Sequence, residues 1–400
     1  MSDDIVLILA LSLLIWLSPY IAKILKMPTP PVEIVLGSIM AYFGILHEND
    51  FFELVAEVGF LYLMFLAGME VNLRQISRES KYFLKQGILF ILSLGILSFA
   101  IGTILDFNSI VIISLPLVSI GILASLSKVY GKKERWLKLA VSVGVLGEIA
   151  SIVALTIVDA ASTVGLGIPL FVELFYLTLF LISIVLLYRL LHLLFWWYPE
   201  IKSALMPKMD TSDQDIRLAM ALFFIMISFM VVLHLELALG AFIAGVAISA
   251  FFHHNRELEE KMSSLGFGFL VPLFFIHVGV SFDMKALAIP GVLSGALLIT
   301  AVMILIRLLS AFYLRKNDGY RTALTTALAL SMPLTLLIAV ATIGYNSGNI
   351  DILTYYKLIL SSLFEVIIAM IGIKFIRPMP DYRKNGDNDA EEKRTKLSST

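Results

Sequence analysis

The sequence predicts an all-α, polytopic membrane protein, and three features of the chain support this fold class. Hydrophobic residues make up 59% of its 400 residues, and charged residues only 15%, against about 25% in ordinary soluble proteins. The mean hydropathy is +0.92. The apolar residues also fall in runs of roughly twenty, the length at which an α-helix crosses a bilayer.

Counting these runs gives about thirteen membrane-spanning helices. We predict them near residues 4–24, 30–46, 54–71, 83–105, 109–127, 136–158, 167–197, 214–233, 235–252, 264–282, 286–314, 321–345 and 353–376. The first run follows an acidic start without a cleavage site, which indicates a spanning helix rather than a leader peptide. Residues 1–378 are therefore the predicted membrane domain, and the polar stretch 379–400 is predicted to be a disordered cytoplasmic tail.

The loops between spans alternate in charge, which predicts the orientation of the chain. One set of loops is rich in lysine and arginine, and the other holds mostly acids. Because basic loops remain in the cytoplasm, we expect the N-terminus outside and the C-terminus inside. An odd number of spans is needed for this orientation, and thirteen is odd.

The two halves of the chain share a pattern of prolines and glutamates. Pro116 precedes Glu148 by 32 residues (148 − 116), and Pro333 precedes Glu365 by the same 32 (365 − 333). The seventh span then lies between two six-helix repeats and inverts the second. Inverted repeats of this kind are typical of secondary transporters.

Pro116 and Pro333 each lie inside a predicted span. A proline removes a backbone hydrogen bond and clashes with the preceding turn, and lipid cannot satisfy the freed carbonyl groups. The pair therefore predicts two discontinuous helices that cross at the membrane centre, whereas ordinary proline kinks are the alternative for either segment alone. Candidate oxygen ligands lining the breaks are Ser119, Ser125, Ser127, Ser331 and Thr335.

Glu148 is the strongest candidate for a functional side chain. A carboxylate at membrane depth costs free energy and usually has a use or a partner. Burial disfavours its charged form and a nearby arginine favours it, so Glu148 can hold either a proton or a monovalent cation, Na+ or K+. Arg307, in another apolar run, is a candidate counter-charge for Glu148. Glu365 is expected to pair with Arg307 or to act as a second acid, and a structural, hydrogen-bonded carboxyl is the alternative.

Several classes of activity lack their sequence signatures. The chain has no cysteine, which excludes disulfides and thiol chemistry. It has no phosphate-binding GxxxxGK[ST] loop and no HExxH motif, so we expect a transporter rather than an enzyme, with no cofactor. The net charge of −1 gives no reason to expect nucleic acid as a partner.

Four stretches together carry a family resemblance. They are VGFLYLMFLAGMEVNL (58–73), LALGAFIAGVAIS (237–249), VPLFFIHVGVSFD (271–283) and ALTTALALSMPLTLLIAVATIGYNSG (323–348). On these residues the chain resembles the monovalent cation:proton antiporter family, in the branch of the Na+/H+ exchangers and potassium-efflux systems. The resemblance implies thirteen helices in a core and a dimerisation subdomain, a homodimer, and elevator-type alternating access.

The resemblance also implies site residues. The family's ion-binding aspartate corresponds to Glu148, and the polar residue that usually precedes it corresponds to Gly147. The family's basic residue in span eleven corresponds to Arg307, and the polar residues of its first broken helix correspond to Ser125 and Ser127. In span twelve, SMPLT replaces a charged turn of the family.

These features together predict a secondary antiporter of a bacterial inner membrane that exchanges Na+ or K+ for protons. Because Gly147 supplies no second acid, one-for-one electroneutral exchange is expected. One alternative is an organic-anion transporter of the same fold, in which Arg307 and half-helix N-termini bind a carboxylate. Another is a membrane sensor or scaffold that has lost transport.

Overall fold

The computed structural model shows helices and their connections throughout the part of the chain that it describes. The described residues are 2–25, 27–71, 81–123, 126, 130–131, 134–164, 213–233, 237–252 and 256–377, with scattered positions between 172 and 200. The predicted tail and most of the seventh predicted span lie outside them.

The helices of the first half agree with the apolar runs of the sequence. They are α1 Ser2–Leu25, α2 Thr29–Tyr42, α3 Asp50–Glu70, α4 Lys81–Ile104, α5 Ser109–Ser114 and α6 Arg135–Val164. Prolines at the first turn of α2 suit its start, and the side chain of Asn49 caps α3 by accepting the backbone N–H of Phe52.

The second half repeats this series of helices. They are α7 Gln214–Leu233, α8 Leu237–Phe252, α9 Arg256–Leu265, α10 Val271–Val280, α11 Val292–Ser310, α12 Arg315–Ala329, α13 Leu334–Asn346 and α14 Ile352–Ile376. A π-helical turn, Gly266–Leu270, joins α9 to α10. The predicted span 286–314 starts later than expected because a 3-10 turn, Met284–Ala288, comes before α11.

The lengths and apolar character of these helices confirm the predicted fold class. Among the described residues, eight helices are long and apolar enough to cross a membrane, or up to nine when the bent pair α12–α13 is included. Large apolar side chains such as Leu9, Trp16, Ile96 and Phe229 are exposed on their outer faces. In water such surfaces would associate, whereas lipid solvates them.

Both predicted breaks are present. The backbone leaves the helix after Ser114 and runs without helical structure from Leu117 to Ile120. The second break separates α12 from α13, and the Gly319–Ala329 part of α12 meets α13 at a bend of 41°. Pro333 stands at the N-terminal cap of α13 with ψ of 43°, outside the helical range. Interrupted helices therefore replace the simple kinks that were the alternative.

Two close helix crossings show the internal symmetry of the fold. An added Cβ at Gly279 in α10 would lie 2.0 Å from the carbonyl oxygen of Ile34 in α2, and one at Gly245 in α8 would lie 2.0 Å from that of Phe65 in α3. Glycine is needed because the backbones touch. The repeat relates α2 to α8 and α3 to α10, so the α2–α10 crossing is the counterpart of the α3–α8 crossing.

The helices pack in two groups. One group contains α1–α3 and α7–α10, and the other contains α4–α6 and α11–α14. Contacts between α6 and α8 join the two groups. Both breaks lie in the second group, together with the helices that carry Glu148, Arg307 and Glu365.

Candidate functional site

Glu148 lies against the first helix break. Its side chain is fully buried in α6. The backbone N–H of Ile120 donates to Oε2 at 2.6 Å, and the hydroxyl of Ser119 donates to Oε1 at 3.4 Å. The N–H of Ile120 is free for this bond because the chain is not helical there, so the break itself supplies a ligand for the acid.

Two glycines allow α6 to approach the breaks closely. An added Cβ at Gly147 would lie 2.7 Å from a methyl carbon of Val118, and one at Gly144 would lie 2.7 Å from a methyl carbon of Ile120. Both distances are shorter than van der Waals contact. The backbone N–H of Val118 also donates to the hydroxyl of Ser151 in α6, at 2.8 Å. The position before Glu148 is therefore filled by the neighbouring segment, which accounts for glycine there.

Hydroxyl groups from the two breaks meet beside Glu148. The side-chain oxygens of Ser119 and Thr335 are 3.3 Å apart and hydrogen-bonded, although the residues are far apart in sequence. This contact joins the first break to the start of α13. Hydroxyl and carboxylate oxygens are suitable ligands for hard cations. Here the Ser119 hydroxyl links the carboxylate of Glu148 to the hydroxyl of Thr335.

Arg307 connects the two breaks through their backbone carbonyl groups. Its side chain is fully buried in α11. Nη2 donates to the carbonyl oxygen of Leu117 in the first break, and Nε donates to that of Leu330 in the second at 3.3 Å. Nη1 donates to the carbonyl oxygen of Met303 at 2.9 Å. The carbonyl groups released by the broken helices are thus satisfied by one cation.

The carboxylate that pairs with Arg307 belongs to Glu365, which is also fully buried. Nη1 of the arginine is 3.1 Å from Oε1 of the glutamate, and Ser331 donates a hydrogen bond to the same oxygen at 2.8 Å. Of the two partners that the sequence suggested for Arg307, the structure shows Glu365. The proposed contact with Glu148 is not formed because α11 packs along α14, which directs the guanidinium to that helix.

The sequence-predicted site residues therefore divide into three sets. The structure brings Glu148 to Ser119, whose hydroxyl bonds to that of Thr335. It also brings Arg307 and Ser331 to the same oxygen of Glu365. Ser125 and Ser127 lie outside the described residues. Sequence reasoning missed the backbone groups of Leu117, Ile120 and Leu330, because main-chain donors and acceptors are the same in every residue type.

Two other polar side chains in the membrane lie away from the breaks. Glu33 in α2 is 2% exposed and accepts a hydrogen bond from Ser18 of α1 at 3.0 Å. Its position facing α1 explains the burial. The ring of His277 in α10 packs edge-on against the ring of Phe52 in α3. Neither residue touches the Glu148 site.

The arrangement around Glu148 suits one small cation or one proton. Within the described ranges no group of three or more His, Asp or Glu side chains comes together, and no described ion pair includes Glu148. A single carboxylate among neutral oxygens gives a site with one negative charge. This charge matches a monovalent cation, and a proton removes it.

The chain matches a known protein family over most of its length. The family model for the transmembrane region of sodium/hydrogen exchangers matches residues 8–377. A Bacillus subtilis protein named "Putative Na(+)/H(+) antiporter YjbQ" is 25% identical over 410 aligned residues, covering 95% of this chain and 63% of the relative. A Methanocaldococcus jannaschii protein named "Probable Na(+)/H(+) antiporter 3" is 24% identical, covering 91% of this chain and 94% of the relative.

A solved structure shares the fold. The sodium proton antiporter MjNhaP1 from Methanocaldococcus jannaschii, determined at pH 8, superposes with a TM-score of 0.66 at 17% sequence identity. The match covers 94% of this chain and 98% of that one. At this identity the likeness concerns the fold alone. It agrees with the predicted helical, multi-pass architecture.

Proposed function

The chain belongs to the sodium/hydrogen exchanger family, and on that premise we propose that it is a secondary antiporter exchanging a monovalent cation for protons. The supporting observation is the position of Glu148. It is a fully buried acid at the first helix break, bonded to Ile120 and Ser119 and without an ion-pair partner among the described residues. Such a carboxylate can gain or lose a charge without breaking a salt bridge.

Competition at Glu148 couples the two fluxes. The ionised carboxylate, with the hydroxyls of Ser119 and Thr335, binds Na+ or K+. Protonation removes the negative charge and releases the cation, because a neutral carboxyl attracts it weakly. Each crossing of the site then carries either a proton or a cation, and no ATP-driven step is needed. The names of the relatives favour Na+ as the exchanged cation.

One-for-one exchange follows from the charges at the breaks. Arg307 is paired with Glu365, so this pair contributes no net charge. The Glu148 site is neutral with a proton and neutral with a monovalent cation. Both loaded states therefore cross the membrane with the same charge, and the exchange is electroneutral. The bonding of Arg307 to protein oxygens also disfavours the organic-anion alternative, which needs a cation free to bind substrate.

The two helix groups suggest how the site reaches both sides of the membrane. We assign α4–α6 and α11–α14 to a moving core that carries both breaks, and α1–α3 and α7–α10 to a scaffold. The core moves against the scaffold as an elevator, and scaffolds of two chains form a homodimer. The protein lies in the bacterial inner membrane with its N-terminus outside and C-terminus in the cytoplasm. Residues 1–378 form the transport domain, and 379–400 form a cytoplasmic tail.

Transport by purified protein in proteoliposomes tests the proposal. A gradient of Na+ or K+ should drive proton movement, detected by a pH-sensitive dye inside the vesicles. Glu148→Gln should abolish this signal, because a neutral amide neither exchanges protons nor attracts a cation. Glu33→Gln is the matched control, since it changes another buried carboxyl away from the breaks and should leave exchange intact.

Two results would contradict the proposal. Full exchange by Glu148→Gln would exclude this acid as the shared site. Dependence of the rate on an imposed membrane potential would exclude electroneutral exchange. Separate runs with Na+ and K+ identify the cation.

A further inference from the structure

The second half of the chain repeats the acid-and-break arrangement of the first. Glu148 in α6 bonds to Ser119 in the first break, and Glu365 in α14 bonds to Ser331 in the second. One offset of 217 residues relates the prolines (333 − 116) and the acids (365 − 148). The serine follows the proline in the first break and precedes it in the second, so the two repeats share a buried acid bonded to a helix break but differ in the position of the hydroxyl.

A positive charge distinguishes these two sites. Arg307 pairs with Glu365, whereas no described ion pair involves Glu148. The same offset of 217 places Phe90 of α4 at the position equivalent to Arg307 (307 − 217), and Phe90 is fully buried. The first repeat therefore has an apolar ring where the second has a cation.

The guanidinium of Arg307 is surrounded by oxygen atoms of the kind that bind small cations. Besides Glu365, its nitrogens contact the carbonyl oxygens of Leu117, Leu330 and Met303. A carboxylate together with backbone carbonyls can replace the hydration shell of a monovalent ion. The cation in this site is a side chain, so it cannot leave.

Glu365 also has an unused ligand atom. Its Oε2 is buried and has no hydrogen-bond partner among the described residues. Buried polar atoms are nearly always partnered, and arginine often contacts both oxygens of a carboxylate. The described contact of Arg307 with this carboxylate is to Oε1, so Oε2 has no hydrogen-bond donor in the described part of the chain and can serve as a ligand for a bound cation.

We propose that Glu365, Ser331 and the carbonyl of Leu330 form a second monovalent-cation site that Arg307 fills permanently as a tethered cation. This deepens the proposed function, on which it rests, because it explains why one of two related acids exchanges ions and the other does not. Removing the side chain of Arg307 should leave this site open to a free cation with the shape of its guanidinium group.

Thermal unfolding of purified variants in detergent tests this site without using transport. The Arg307→Ala substitution is made in a Glu148→Gln background. Of the two acids at the breaks, Glu365 is then the one that can still carry a negative charge. We expect added guanidinium chloride at millimolar concentration to raise the melting temperature of this variant, compared with choline chloride at equal ionic strength. Adding Glu365→Gln should remove the response, and Glu148→Gln alone should show none.

Each outcome decides the question. No guanidinium-specific stabilisation of the Arg307→Ala variant, or the same stabilisation after Glu365→Gln, would overturn the proposal. If Arg307→Ala is recovered only as aggregate, the yield of monodisperse protein after extraction with guanidinium chloride or choline chloride replaces the melting temperature, and equal yields overturn the proposal. Failure of the antiport assay would leave these stability results unchanged, so the two proposals can fail separately.

Discussion

Arg307 and Glu365 form a fully buried ion pair, with Nη1 3.1 Å from Oε1, at the point where the two helix breaks meet. The arginine belongs to α11 and the glutamate to α14, and each also bonds to the second break, at Leu330 and Ser331 respectively. Since Arg307 bonds to Leu117 as well, the pair fixes the two interrupted segments relative to one another.

Breaking this pair should be costly. Arg307→Met leaves Glu365 buried without its counter-charge, which should lower stability by about 3–5 kcal/mol. The double variant Arg307→Met/Glu365→Gln removes both charges, so its melting temperature in detergent should lie closer to wild type than that of Arg307→Met. Strictly additive effects of the two substitutions would contradict the predicted coupling.

Protons should compete with the transported cation. As the external pH falls through the range in which Glu148 takes up a proton, the apparent KM for the cation should rise by about tenfold per pH unit, as mass action requires. The maximal rate should change little, because saturating cation displaces the proton. Initial rates in proteoliposomes at several fixed pH values measure this, and a KM independent of pH would exclude a shared site.

The hydroxyls beside Glu148 should contribute to cation affinity. Ser119→Ala and Thr335→Ala each remove one neutral oxygen, and a loss of about 1 kcal/mol per contact corresponds to roughly a fivefold rise in KM. Ser114→Ala is the matched control, because Ser114 is also buried in the first discontinuous segment but bonds to Ile110 within its own helix. Equal effects of all three substitutions would indicate a general loss of packing.

The close approach of α6 to the first break should tolerate no side chain at position 147. Gly147→Ala places a carbon 2.7 Å from Val118, and overpacking of this kind costs about 1–3 kcal/mol. The clash should displace the segment that carries Ile120 from Glu148. The rate of exchange should therefore fall by a larger factor than the amount of protein expressed. Gly95→Ala in α4 is the control, since its Cβ meets nothing within 4 Å. Normal exchange by Gly147→Ala would show that the contact is not required.

The N-terminal cap of α14 should stabilise the folded protein by an amount that depends on pH. Hydrogen bonding to Thr354 holds the pKa of Asp351 below its ordinary 3.8. A lowered pKa means that this stabilisation is complete above pH 3.8 and is lost as the pH falls through the folded-state value. Asp351→Ala should therefore be less stable by about 1 kcal/mol near neutral pH. The difference in melting temperature between wild type and Asp351→Ala should become smaller as the pH falls below 3.8. A difference that grows on acidification would contradict the prediction.

Most of the architecture could be predicted from the sequence because lipid imposes strict rules. Apolar runs of fixed length predicted the described spans, and Pro116 and Pro333 predicted the two breaks. The spacing shared by Glu148 and Glu365 predicted the repeat. These signals are local, since each is carried by residue types within one segment. The sequence could not show which helices Gly245 and Gly279 contact, because contact between helices depends on their rotation and tilt.

The sequence by itself determined that this chain spans a membrane, that two of its helices are interrupted, and that buried acids and one arginine accompany the breaks. Only the tertiary structure decided that Arg307 neutralises Glu365 and that Glu148 has no ionic partner among the residues that the structure describes. The physical reason is that an ion pair forms between the side chains that packing brings within reach. The donors and acceptors completing the site, at Leu117, Ile120 and Leu330, are backbone groups, which only the folded path of the chain can place.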